Sequence, residues 1–181
     1  MFKVRFPENF GVYESRRLIL RKWTAADLSC LDAVLGDPIV MEFSDDGTLT
    51  LEEQEAWLQE ATSPISSTEL PGLLAIEHKK TGKVIGYVSL LQDLKRVSCH
   101  EAEIGFRLEQ SAWGQGYASE AASIMFEVAN KSASIARVVA IVDPNNHRSV
   151  GVLKKLGMTQ EGEIMFDGYD YPDHIYARQC P

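Results

Sequence analysis

The sequence has no long hydrophobic run, no excess of positive charge and only three cysteines, and each shortage removes a class of function. Its longest apolar stretch, Val84 to Leu91, falls far short of the ~20 residues that a membrane-spanning helix needs. The N-terminus carries no apolar segment followed by small residues, so no secretory signal is read there and a cytoplasmic protein is expected. Cys30, Cys99 and Cys180 are odd in number, widely separated and in no Cys-x-x-Cys or Cys/His spacing. Neither a disulfide framework nor a metal site is indicated, and reduced thiols are expected. Lys and Arg number 18 against 26 Asp and Glu, and the net charge of −8 argues against nucleic-acid binding through the phosphate backbone. The same balance favours a cationic partner, although a charged surface also serves solubility alone. No Gly, Pro or Ser bias marks a linker, and no internal repeat is visible. A chain of 181 residues suits a single domain, 1–181.

What is present is a regular alternation of elements. Arg17 to Trp23 reads as a first strand. Thr24 and Asp27 then open a helix through Leu28, Leu31 and Leu35 that Gly36, Asp37 and Pro38 stop. Thr50 and Glu53 form a cap pair for a second helix with Trp57 and Leu58 on its apolar stripe, and Ala61 to Pro71 reads as a loop. Leu73 to Glu77, Val84 to Leu91 and His100 to Leu108 predict three meandering antiparallel strands, with a turn at Lys79 to Gly82 and a polar connection before the third. In that third strand Ala102, Ile104, Phe106 and Leu108 alternate with Glu101, Glu103, Gly105 and Arg107, so the two glutamates should point together. Ala118, Ala121, Ala122, Met125, Phe126 and Ala129 trace one face of a helix. Arg137 to Val142 is a strand, and Asp143 to Asn146 a helix-opening turn. Val150, Leu153 and Leu156 mark a helix stopped by Gly157, and Thr159 to Arg178 holds two more strands. This order implies an α/β (α+β) fold, a mixed sheet with helices on both faces.

The segment from Phe106, Arg107 and Leu108 through Trp113-Gly114-Gln115-Gly116-Tyr117-Ala118-Ser119 joins a strand, a two-glycine loop and a helix N-terminus. Free N–H groups, the positive end of a helix dipole and room for close approach make an anion site. The same glycines also serve a tight strand-to-helix turn with no ligand. A Walker loop needs Gly-Lys followed by Ser or Thr, and here Tyr117 follows Gly116. A dinucleotide fingerprint wants a third glycine where Ser119 stands and a parallel strand before the loop.

Together with the continuation of that run into Glu120-Ala121, with Glu103-Ile104-Gly105-Phe106, the run Val142-Asp143-Pro144-Asn145-Asn146-His147-Arg148-Ser149-Val150, the later Lys155-Leu156-Gly157-Met158 and the opening Ser15 to Leu20, these motifs span nearly the whole chain. The sequence resembles the GNAT superfamily of N-acetyltransferases, in particular its ribosomal-protein N-terminal acetyltransferase branch. The resemblance implies a mostly antiparallel central sheet and acetyl-coenzyme A as cofactor. It implies that the pantetheine arm pairs with the Phe106–Leu108 strand, that the pyrophosphate rests on the amides from Gly114 to Ser119, and that Asn146 contacts the cofactor. Asn146 is equally an N-cap, and the two roles are compatible. Trp113 stands where the family usually has Gln or Arg.

Transfer to an amine needs a neutral nucleophile, an oxyanion donor and a proton for the departing thiolate. The resemblance makes Glu103 the group that receives the amine proton through water, with Glu101 as alternate. Either can also be an ordinary solvated or paired strand carboxylate. Many members place a tyrosine on the last helix to protonate the thiolate. Leu153 stands at that position here, and Ser149, one turn earlier, fills the serine position of the ribosomal branch. Ser149 can equally be a small helix residue or local cap. The acceptor implied is the α-amine of a protein or peptide. A polyamine or aminoglycoside, or a coenzyme A-binding sensor without turnover, remain as alternatives. Monomer and homodimer are both open.

Overall fold

The computed structural model describes residues 12–63, 70–92 and 98–180. The polar connection after Leu91 and most of the loop expected between Ala61 and Pro71 lie outside them. An eight-stranded mixed sheet has the order β1-β2-β3-β4-β5-β6-β8-β7. Its strands are β1 (Val12–Glu14), β2 (Leu18–Arg21), β3 (Gly72–His78), β4 (Lys83–Leu91), β5 (Glu101–Leu108), β6 (Arg137–Val142), β7 (Thr159–Ile164) and β8 (Asp173–Gln179). The β5–β6 pair is parallel and the other pairs are antiparallel. The β3-β4-β5 meander is the one read from the sequence. β1 was not expected, because three residues are too few to show an alternation.

Helices cover both faces, as the strand residues sort themselves. Leu74 and Ile76 of β3 belong to one core with Leu18, Leu20 and helix α3 (Tyr117–Ala129), whereas Ala75 belongs to a second core. The second core holds Trp23, just past β2, with Leu31, Leu35 and Leu58 from α1 (Leu28–Leu31), the turn after it and α2 (Leu51–Thr62). Trp23 meets Trp57 edge to face at 5.2 Å between ring centroids. Ala121, Ala122, Met125, Phe126 and Ala129 of α3 are buried as its stripe predicts, with Met125 and Phe126 each contributing about 1.5–3 kcal/mol.

The first helix departs from its expected regular run. A 3₁₀ turn at Ala25–Asp27 leads into α1, and a π-helical turn, Asp32–Gly36, follows it. Asp27 is drawn back toward the strand: its carboxylate accepts from Thr24 N at 2.8 Å and from Arg21 Nη2 at 2.8 Å. The α2 cap pair is present, with Thr50 N donating to Glu53 Oε2 at 2.7 Å. Helix α2 continues to Thr62, two residues into the segment read as loop. Helix α4 (His147–Lys155) opens at Asn146, whose Oδ1 accepts from Ser149 N at 3.1 Å.

One irregularity in the sheet positions everything that follows. Among the described residues β5 pairs with β6 only over Glu101↔Arg137 to Glu103↔Val139. Beyond that point β5 stays on β4 up to Leu108↔Gly86, and β6 stays on β8 up to Val142↔His174. The two strands therefore part, and the β5 edge from Ile104 to Leu108 faces a cleft instead of a strand.

Candidate active site

The loop leaving β5 is braced by its own side chains. Trp113 Nε1 donates to Leu108 O at 2.8 Å, and Gln115 Nε2 donates to Ser111 O at 2.8 Å. Gly114 and Gly116 have φ of 71° and 79°, the left-handed region where a β-carbon costs roughly 1–2 kcal/mol. Gly116 is the N-cap of α3 and offers no side chain to cap it. The first bond of that helix is Glu120 N to Gly116 O at 3.0 Å, so the amides of Tyr117, Ala118 and Ser119 have no partner within the helix. They stand at the positive end of a 13-residue helix.

A groove of about 430 Å³ runs along these groups. Phe106, Arg107, Leu108, Trp113, Gly114, Gly116, Tyr117, Ala118, Ser119, Asn146 and Ser149 all line it, whereas Gln115 does not, its side chain being turned back onto Ser111. Arg148 stacks on the Trp113 ring at 4.5 Å, and Arg148 and Lys155 bring positive charge to the α4 wall of the groove. Trp113 therefore contributes a wall and a platform for Arg148, and its indole N–H is already used. Amides left over from the helix ladder, two left-handed glycines and a cationic wall suit a long ligand with phosphates at one end.

A second depression of about 430 Å³ continues the first. Phe43, Phe106, Arg107, Asn146 and Ser149 line both, so Ser149 stands at the junction. This second space opens between the parted strands. Glu42, Asp45, Asp46, Glu103, Asp143 and Asp173 line it, and among the described residues Arg107 is the one cationic side chain on its wall. Arg107 is held by Met41 Sδ at 2.8 Å and lies over the Tyr87 ring at 5.8 Å. From the loop between β7 and β8, Tyr169 lines this space and its Oη donates to Asp45, while Tyr171 Oη donates to Asp143 Oδ2 at 2.8 Å. Those carboxylates push both phenols above their ordinary pKa.

The two glutamates of β5 share a face, as alternation requires, but not an environment. Glu101 accepts from Ser98 N at 2.9 Å and from Arg137 Nε at 2.7 Å. The Ser98 amide and the Arg137 guanidinium outweigh partial burial and hold its pKa below the usual carboxylate value. Glu103 lines the acceptor-side depression and Glu101 does not. Leu153, where many relatives carry tyrosine, is 2% exposed and reaches the same depression from α4.

The sequence assigned no role to three residues behind the loop, although Arg17 and Glu120 lie within the segments that carry the resemblance. Arg17, Glu120 and His78 form a linked group around Tyr117. The signal for Glu120 was a charge among the small residues Ala118, Ala121 and Ala122, at a helix position too crowded for a solvated carboxylate. Cys30, Cys99 and Cys180 are free thiols. Among the described residues no helix is long and apolar enough to cross a membrane.

Comparison with known proteins agrees with this geometry. Residues 17–159 match the family model described as an acetyltransferase (GNAT) domain. An uncharacterized N-acetyltransferase of Bacillus subtilis, YnaD, is 28% identical over 148 residues, covering 82% of each chain. The GNAT-family acetyltransferase of Bacillus anthracis superposes with a TM-score of 0.80 at 23% identity, covering 93% of this chain and 98% of that one. The ribosomal-protein-S5-alanine acetyltransferase of Vibrio fischeri superposes at 0.74 with 18% identity, over 93% and 96% of the two chains, and shares the fold. Acetyl-coenzyme A is the acyl donor of the family, and its acceptor is an amine. The chain thus belongs to the GNAT family and is an acetyl-coenzyme A-dependent N-acetyltransferase.

Proposed function

We propose that the acceptor is the N-terminal α-amine of a basic protein or peptide, acetylated in the cytoplasm by a single-domain enzyme. The observation that carries this reading is the acidic depression that meets the cofactor groove at Ser149. Its six carboxylates attract a cationic chain and exclude an anionic one. An α-amine, with an ordinary pKa near ~7.7–8.0, is partly neutral at physiological pH, whereas a lysine near ~10.4 is not. A single carboxylate acting through water is therefore enough to complete its deprotonation.

On this reading the pantetheine arm lies against the free β5 edge at Phe106–Leu108. The pyrophosphate sits over the amides from Gly114 to Ser119, and Asn146 borders the arm while its Oδ1 caps α4. The bound cofactor supplies the acetyl thioester. The amine nitrogen bonds to the acetyl carbon as the carbon–sulfur bond breaks. Glu103 receives the amine proton through water, and Ser149, at the junction of the two spaces, hydrogen-bonds the departing sulfur while a proton reaches it from water, directly or relayed through the Ser149 hydroxyl, which takes a proton from water as it gives one up. Retention of Glu103 and Ser149 at one cleft speaks against a binding-only domain.

The same carboxylates also suit a compact polycation, so the acceptor screen sets three classes against one another. Thiol release is measured with basic peptides starting with Ala, Ser or Met, with spermidine and with an aminoglycoside. The highest kcat/KM is expected on the peptides. Preferential turnover of spermidine or the aminoglycoside overturns the peptide assignment and leaves acetyl transfer intact.

A further inference from the structure

Behind the glycine loop, on the side away from the groove, one guanidinium touches three successive parts of it. Arg17 Nη1 donates to Gln115 O at 3.0 Å, just before Gly116. Its plane lies over the Tyr117 ring at 4.4 Å, just after Gly116. Its Nε and Nη2 each lie 2.6 Å from Glu120 Oε2, in the first turn of α3. A β-carbon on Gly116 itself would stand 3.6 Å from Nη2. The ring held in this way is fixed at its other end, with Tyr117 Oη 3.2 Å from His78 Nε2 on β3.

The anchor is firm at its base. Glu120 is 5% exposed, and its other oxygen accepts from Ser15 Oγ at 2.7 Å and from the Arg17 amide at 3.0 Å. Ser15 Oγ in turn accepts from Leu18 N at 3.1 Å, and Leu18 is fully buried. Arg17 thereby ties the loop to the rigid start of β2. The loop needs such a tie, because Gly114, Gln115 and Gly116 are exposed and two of the three are glycines. The charge matters as much as the geometry. Glu120 is a buried anion in the helix turn whose amides face the groove, and without a cation beside it the carboxylate would oppose any anion bound there.

We propose that Arg17 is a positioning residue for the donor: it holds the Gly114–Tyr117 loop in the shape that receives a pyrophosphate and neutralises Glu120 beneath it. This rests on the reading that places the pyrophosphate at Gly114–Ser119. Neither Arg17 nor Glu120 lines the groove, so the effect passes through the loop.

The test uses the full chain and three variants, Arg17→Ala, Arg17→Lys and the paired Arg17→Ala/Glu120→Gln, the last of which removes the buried charge together with its partner. Affinity for free coenzyme A is measured by titration calorimetry. Turnover is compared between acetyl-coenzyme A and S-acetylpantetheine, which has the same thioester and no pyrophosphate. In the folded variants Kd for coenzyme A is expected to rise about tenfold in Arg17→Ala, with Arg17→Lys and the paired variant each between parent and Arg17→Ala, and the loss of kcat/KM is confined to acetyl-coenzyme A. Equal losses with both donors, an unchanged Kd, or failure of all three to fold reduces the pair to a structural brace and overturns the proposal. Gly116→Val separates this from failure of the underlying reading: if that folded variant binds coenzyme A with parental affinity, the phosphates lie elsewhere.

Discussion

Arg137 Nε lies 2.7 Å from Glu101 Oε1, and with the Ser98 amide it engages the one of two neighbouring strand carboxylates that does not line the cleft. Arg137 also holds Glu161 at 2.6 Å, so the pair belongs to a small network on the β5–β6–β7 surface. Glu103, two residues on, lines the acceptor-side depression. Glu103→Gln is expected to lower kcat by about tenfold to a hundredfold near neutral pH, within the usual contribution of a general base. The loss should shrink as pH rises, because more of the α-amine is then neutral without help. Glu101→Gln should keep the parental kcat and lower the melting temperature by about 2–4 °C. Steady-state kinetics from pH 6 to 9 and a thermal melt separate the two, and the opposite pattern would exchange their roles.

The α4 cap uses the Ser149 backbone N–H and not its hydroxyl. Ser149→Ala therefore deletes only the hydroxyl and keeps the cap. Its kcat should fall about tenfold while KM for acetyl-coenzyme A stays within about twofold, the pattern of a group that acts in the transition state. A parental kcat in a folded variant removes Ser149 from the chemistry. Asn146→Ala, by contrast, removes the cap oxygen and should cost about 1 kcal/mol of stability, which a denaturant midpoint reads directly.

Asp27, Glu101 and Glu120 share an electrostatic condition with a consequence for acid stability. At Asp27 and Glu120 burial raises the pKa, but hydrogen bonds from Arg21 and Thr24, and from Ser15 and Arg17, outweigh it and hold both below their ordinary values of 3.8 and 4.5. Glu101 is held low by Ser98 and Arg137 against its own partial burial. A carboxylate whose folded pKa is depressed contributes stability that is complete above its unfolded pKa and lost as pH falls through the folded one. The melting temperature should be flat with respect to these groups above about pH 5.5 and fall progressively below about pH 4.5. Glu120→Gln should flatten that acid limb, and melts from pH 3 to 7 in parent and variant check it; an unchanged limb would remove Glu120 from the effect.

Local chemistry in the sequence determined the elements whose signals lie within a few residues. The α3 stripe, the Thr50–Glu53 cap, the Asn146 cap and the alternation along β5 each depend on one turn or one pleat, and each was readable before folding. The run from Trp113 to Ser119 likewise carried its loop and helix start in its own glycines. Tertiary structure alone decided which neighbours those elements met. Glu101 and Glu103 are indistinguishable by spacing, and their surroundings in the fold separate them: Glu101 meets Arg137 and the Ser98 amide, whereas Glu103 lines the acceptor-side depression. Arg17 and Glu120 are 103 positions apart, and no local pattern could pair them. The acidic depression draws Asp45, Glu103, Asp143 and Asp173 from four separate segments, and it exists because β5 and β6 part after three residue pairs. A sequence specifies backbone preferences over one or two turns, whereas a charge acts on whatever the fold brings within a few ångströms, so the chain's own letters named the fold and its donor loop and left the partners of its charges to packing.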